Sequence, residues 1–129
     1  SHSPPMSVRL AVVGSRGFTD YQLLQSVLDA KSISAVVSGG AVGADTLAAR
    51  YVQEYNENLE EDDPSRIKLI VFTPDWNKYG RSAGIRRNAD IVDNADALVA
   101  FWDGESKGTG NSIDRATRKG IDVEVIRYK

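Results

Sequence analysis

A doubly wound α/β domain is the fold class this sequence predicts, and three observations carry the prediction. Short apolar runs alternate with helical patterns five times along the 129 residues. The early runs are apolar on both faces, as strands must be when helices cover both sides of a parallel sheet. Loops rich in glycine follow several of these runs, as tight strand-to-helix turns require. With right-handed crossovers, the favoured topology is a five-stranded, mostly parallel sheet in the order 3-2-1-4-5. An antiparallel edge strand is compatible with the same pattern.

The elements follow in order. "RLAVV" (9–13) is a β-branched run closed by "GSRGFTD", a strand and its turn. Residues 20–31 place Leu23, Leu24, Val27 and Leu28 on one helical face. "SAVVS" (34–38) is the second strand, and Ala44, Leu47, Ala48, Tyr51, Val52 and Tyr55 recur at helical spacing up to Asn56. "NENLEEDDPS" (56–65) is an acidic, solvated loop. "RIKLIVF" (66–72) is the third strand, and the loop "TPDWNKYGRSAG" leads into a helix ending near Asn94. "ADALVAFW" (95–102) is the fourth strand, followed by the loop "DGESKGTG" (103–110). A helix over 111–119 ends in Arg118, Lys119 and Gly120, a basic last turn with a glycine cap, before the strand "IDVEVIRY" (121–128).

Composition narrows the chemistry. The chain is 41% hydrophobic and 26% charged, which is ordinary for one globular domain, expected over residues 7–129. Residues 1–6 read as a leader outside the fold. With no cysteine, disulfides, thiolate nucleophiles and cysteine-ligated metals are excluded. The one histidine, His2, falls in the leader, so a general base would be a carboxylate, a lysine, a tyrosine or a bound water. A net charge of −2 disfavours nucleic acid as a partner of the whole surface. No apolar run is long enough for a membrane span, and the expected location is the cytoplasm. Neither a metal nor a cofactor is implied.

In doubly wound sheets, ligands bind beyond the carboxyl ends of the strands, near the point where strand order reverses. The loops "GSRG" (14–17), "SGGAVGAD" (38–45) and "DGESKGTG" (103–110) converge there. They hold every glycine except Gly80, Gly84 and Gly120. Glycines let backbone N–H groups approach an oxyanion, and a helix N-terminus adds about half a positive charge. Ser15, Ser38, Ser106 and Thr109 add hydroxyls; Arg16, Lys107 and the pair Arg86–Arg87 add charge. Each feature alone has an ordinary explanation. A glycine turn is often only tight, Asp45 can serve the dipole of its own helix, and Trp76 and Trp102 can be packing residues. Their joint placement carries the functional expectation. The nucleotide signature G-x-x-x-x-G-K-[ST] is absent, as is G-x-G-x-x-G after the first strand. Ser38-Gly39-Gly40 stands where a dinucleotide-binding fold would offer an acid to the ribose, which disfavours a nicotinamide dehydrogenase.

The segments "VVGSRGFTDYQLL", "VVSGGAVGADTLAARY", "FTPDWNKYGRSAGIRRN" and "ADALVAFWDGESKGT" together resemble the YspA-like branch of the SLOG superfamily, from about Arg9 to Ile126. That superfamily is named for DNA-processing protein A (SMF) and the LONELY GUY phosphoribohydrolases. The resemblance implies a Rossmann-like fold binding a nucleotide or nucleotide-derived ligand. It maps Gly14, Ser15 and Arg16 to the first motif and Ser38, Gly39, Gly40, Gly43, Ala44 and Asp45 to the second. Trp76, Arg87 and Asn88 fall in the third, and Trp102, Asp103, Gly104, Ser106, Gly108 and Thr109 in the fourth. The phosphoribohydrolase cousins carry P-G-G-x-G-T-x-x-E. Here Gly108-Thr109 is kept, but the glutamate position is Ser112.

The expected function is therefore a module that senses or sequesters a nucleotide-derived small molecule. The alternative is an N-glycosidase acting on nucleoside monophosphates, with Asp45 and Asp103 as carboxylates and Arg87 holding the phosphate, since cleaving an N-glycosidic bond needs a carboxylate to steady oxocarbenium charge. A lesser alternative is single-stranded DNA binding through Lys78, Arg81, Arg86 and Arg87 with Trp76 and Tyr79. Relatives that pair through helices make a second copy of the chain the candidate protein partner.

Overall fold

The computed structural model describes residues 7–129, so the leader and His2 lie outside the described residues. Five strands, β1 (Val8–Gly14), β2 (Ile33–Ser38), β3 (Lys68–Val71), β4 (Ala97–Trp102) and β5 (Asp122–Arg127), form one sheet. Their order is β3-β2-β1-β4-β5, and every neighbouring pair is parallel. This is the 3-2-1-4-5 arrangement expected from the alternation of elements, with no antiparallel edge. The helices are α1 (Tyr21–Asp29), α2 (Ala44–Asn56), α3 (Trp76–Tyr79), α4 (Ala83–Asp93) and α5 (Lys107–Lys119), with one 3-10 turn at Gly80–Ser82.

Strand alternation sends side chains to two cores. Leu10 and Val12 of β1 and Val36 of β2 join Leu24 and Leu28 of α1 and Ala48, Tyr51 and Val52 of α2. Ala11 and Val13 face the opposite way and meet Ile91 and Val92 of α4 and Ala116 of α5. The central strands are thus buried on both faces, whereas β3 and β5 at the edges are largely exposed. The local signals behave as their chemistry requires. Asp20 caps α1 by accepting from the Leu23 N–H at 3.0 Å. Gly120 closes α5 in the left-handed region at φ 84°, its N–H donating to the Ala116 and Thr117 carbonyls.

Three boundaries differ from the sequence expectation. The stretch Trp76–Ser82, read as loop, holds α3 and the 3-10 turn, because Asp75 accepts from the Lys78 N–H at 3.1 Å and starts a helix there. Helix α5 begins at Lys107 rather than at residue 111, so Gly108 and Gly110 lie in its first turn. Two glycines are tolerated because the turn is braced from outside: the Trp102 indole N–H donates to the Ser106 carbonyl at 3.0 Å. Strand β3 starts at Lys68 because the Asn56 side chain takes both backbone groups of Ile67, at 2.8 and 2.9 Å, in place of a strand partner.

Candidate functional site

A cleft of about 490 Å³ opens beyond the carboxyl ends of β1 and β4, within the size range of small-molecule sites. The β1–α1 turn supplies Gly14, Ser15, Arg16 and Gly17, and the β2–α2 turn supplies Ala41 and Asp45. The β4–α5 turn and the helix after it add Asp103, Ser106, Lys107, Gly108, Thr109 and Ser112. Helix α4 contributes Arg87, Asn88 and Ile91 from the side. All three glycine-bearing turns therefore meet at one hollow.

Two glycines explain how the turns come so close. A Cβ on Gly14 would lie 2.5 Å from the Ala44 Cβ and 2.8 Å from the Phe101 carbonyl oxygen, so α2 can start directly over the end of β1 only if Gly14 is bare. Gly43, at φ 85°, sits where a Cβ would be 2.5 Å from the Ser15 carbonyl oxygen and 2.9 Å from that of Arg16. These contacts seat the second turn upon the first.

Helix α4 fastens the remaining wall. The Arg87 guanidinium donates through Nη1 to the Gly39 carbonyl at 2.8 Å and through Nε to Asn88 Oδ1 at 3.1 Å. Asn88, itself buried, donates through Nδ2 to the Gly108 carbonyl and to Asn111 Oδ1, both at 3.3 Å. One Arg–Asn pair thus ties the β2–α2 turn to the start of α5. Nη2 of Arg87 has no protein acceptor among the described residues.

The two candidate carboxylates have opposite surroundings. Asp103 accepts from the Ser106 and Glu105 backbone N–H groups at 2.8 and 2.9 Å and from the Ser106 hydroxyl at 2.9 Å. These bonds, led by the Ser106 amide, hold its pKa far below the usual carboxylate range. Its own N–H donates to the Ser15 hydroxyl oxygen at 3.1 Å, joining the first and third turns. A carboxylate so occupied is a poor proton donor or acceptor near neutral pH. Asp45 is only 9% exposed, and burial raises its pKa from the ordinary 3.8. The Ala41 N–H, which donates to it at 3.0 Å, and the positive charge of Arg87 oppose that rise.

The sign of the Asp45 effect follows from linkage. A carboxyl whose folded pKa is raised favours folding most when protonated, and that contribution is lost as pH rises from 3.8 through the raised value. Against Asp45→Asn, which keeps an acceptor for Ala41 without the charge, wild-type stability is expected to fall across that window and then level off. Urea unfolding of both proteins at a series of pH values checks this. A difference that grows in favour of wild type with rising pH would mean that ionised Asp45 is well paired.

Several residues expected at the site have other places. Ser38 is buried in β2, its carbonyl accepting from the Phe72 N–H at 2.9 Å. Gly39 lies against the Arg87 guanidinium, whose Cζ would stand 2.8 Å from a Cβ there. Gly43, Ala44 and Gly104 do not line the cleft, nor does Gly40, which is exposed beside Val71 and Thr73, and Trp102 supports α5. Trp76 is 59% exposed and does not line the cleft. Conversely, the sequence reading did not assign Val13, Gly17, Ala41, Ile91 or Ser112 to ligand contact, although all line the cleft. Alternation along β1 and helical spacing from Arg87 to Ile91 were the available signals. Ser112, at the cousins' glutamate position, is 1% exposed and turns its hydroxyl back to the Gly108 carbonyl at 3.3 Å.

Comparison with known proteins gives two matches. A family model described as the YspA, cpYpsA-related SLOG family matches residues 8–79, more than half of the chain. The Gene 61 protein of Mycobacterium phage D29 is 35% identical over 89 residues, covering 68% of this chain and 67% of that protein. No solved structure matches to a comparable standard.

Proposed function

The chain belongs to the YspA, cpYpsA-related SLOG family, and on that premise we propose that it binds a nucleotide or nucleotide-derived small molecule in the cleft and holds it without cleaving it. The observation that carries the reading is the electrostatic character of the wall formed by α5. Its first turn contains Lys107 and no acid, unlike that of α2, where Asp45 answers the helix dipole. The first N–H groups of a helix have no intrahelical acceptor, so those of Lys107, Gly108 and Thr109 are free to meet an anion. Arg16, Arg87 and Lys107 bring three positive charges to a cleft with two carboxylates, one of them bound up with its own backbone. A phosphate on this wall would leave the sugar and base toward Val13 and Ile91.

Retention without cleavage is supported by the acid–base inventory. The position of the cousins' glutamate is a buried serine, and Asp103 is held ionised by its turn. Thermal unfolding against a panel of nucleotides and ADP-ribose-like compounds tests the proposal. A ligand at a hundred times its dissociation constant is expected to stabilise the protein by about 2.7 kcal/mol, and chromatography of the same mixtures should recover it intact. No stabilisation by any phosphate compound would end the binding proposal. Stoichiometric appearance of free base would replace retention with hydrolysis.

A further inference from the structure

We propose that the β3 edge of the sheet is a two-fold interface through which a second copy of this chain pairs, antiparallel, to make one continuous ten-stranded sheet. The backbone supplies the first argument. The Phe72 N–H donates to the Ser38 carbonyl, so Phe72 and, by strand alternation, Ile70 and Lys68 turn their backbone groups toward β2. The groups of Leu69 and Val71 therefore face outward. Those of Ile67, on the same side, are already taken by Asn56. An open stretch centred on Ile70 is left, and a two-fold axis at Ile70 sets Leu69 opposite Val71 of the other copy. In that register each pair exchanges both N–H···O=C bonds. The Leu69 and Val71 side chains, 39% and 44% exposed, lie on one face and would cover each other.

Charge selects the occupant. Before β3 runs the acidic segment 57–63, which carries Glu57, Glu60, Glu61, Asp62 and Asp63. After it comes the segment 75–86, where Lys78, Arg81 and Arg86 outnumber Asp75. Among the described residues no acid of the first group and no cation of the second forms an ion pair within the chain. Lys78 and Arg86 instead rest on the Tyr79 ring, 5.1 and 4.3 Å from its centroid. Glu61, Asp62 and Asp63 line a groove of about 520 Å³ along Ile67–Ile70, where they outnumber the cations Arg66 and Lys68. Antiparallel pairing brings the basic end of each copy to the acidic segment 57–63 of the other, twice by symmetry. An edge with opposite unpaired charges at its two ends is complementary to itself.

Sedimentation equilibrium and velocity runs on the full chain test this. The expected result is a species of twice the 14.1 kDa chain mass that dissociates with dilution and with added salt. Val71→Lys should return it to monomer. So should the double charge reversals Lys78→Glu/Arg81→Glu and Glu61→Lys/Asp62→Lys, each with an unchanged circular dichroism spectrum. Mixing the two reversed proteins should restore the dimer as a heterodimer, since both contact zones then join opposite charges. A monomer at every concentration overturns the proposal and leaves the edge to a different partner. A dimer that survives Val71→Lys and both reversals overturns it too, and places the contact elsewhere.

Discussion

Gly43→Ala is expected to destabilise the protein by roughly 3 kcal/mol, combining a left-handed backbone that an L side chain resists with an overpacked contact. The residue sits at φ 85°, and an added Cβ would lie 2.5 and 2.9 Å from the carbonyl oxygens of Ser15 and Arg16. Those oxygens belong to backbone and cannot swing aside as a flexible side chain would. Relief requires that the start of α2 retreat from the β1–α1 turn, which would also open the cleft. Gly120→Ala is the control. Its φ is 84°, yet nothing stands within 4 Å of the new methyl group, so only the backbone cost of about 1 kcal/mol applies. Thermal unfolding should separate the two variants, with Gly43→Ala lowered by about 10 °C. Equal stability of the two would show that the turns are not seated on each other.

Arg87→Ala is expected to weaken the best ligand of the nucleotide panel by roughly 10- to 100-fold, the range for losing a charge-assisted hydrogen bond of about 1.5–3 kcal/mol. Two effects combine. The free Nη2 is removed from the cleft, and the bonds that hold the Gly39 carbonyl and Asn88 disappear with it. Arg87→Lys separates them, because an ammonium keeps the charge but lacks the planar fork whose Nε and Nη1 reach Asn88 and the Gly39 carbonyl together. Isothermal titration should rank wild type above Arg87→Lys and Arg87→Ala last. If Arg87→Ala binds as tightly as wild type, the phosphate does not meet this side chain.

Much of the fold was legible because its signals are local. The apolar runs, the Asp20 cap and the basic end of α5 before Gly120 each state their own structure, and the strand order follows from the right-handed crossover rule. The cleft was legible in outline for a different reason: glycine gathered in turns that the topology brings to one rim. What those glycines do was less visible. Gly39, Gly43 and Gly104 make room for Arg87, for the first turn and for Arg127, and a bare Cα beside a protein group reads in sequence like one beside a ligand. Asp103 looked like a free carboxylate because nothing in "DGES" reveals that it folds back onto the next two amides. Trp76 looked like a ring for stacking, yet its place depends on where α3 turns. The Arg87–Asn88 brace spans 48 residues to Gly39 and 20 to Gly108, separations that no local pattern reports.

The hollow has two walls of different provenance in the chain. One is made before residue 46 and lies inside the matched segment 8–79; the other begins at Arg87 and lies beyond it. Because glycine packing locks the first wall to the middle of the sheet, variation there disturbs folding. The second wall hangs on the side-chain bonds of Arg87 and Asn88. A lineage built on this plan is free to change what it recognises by rewriting its second half, while its first half goes on specifying the same scaffold.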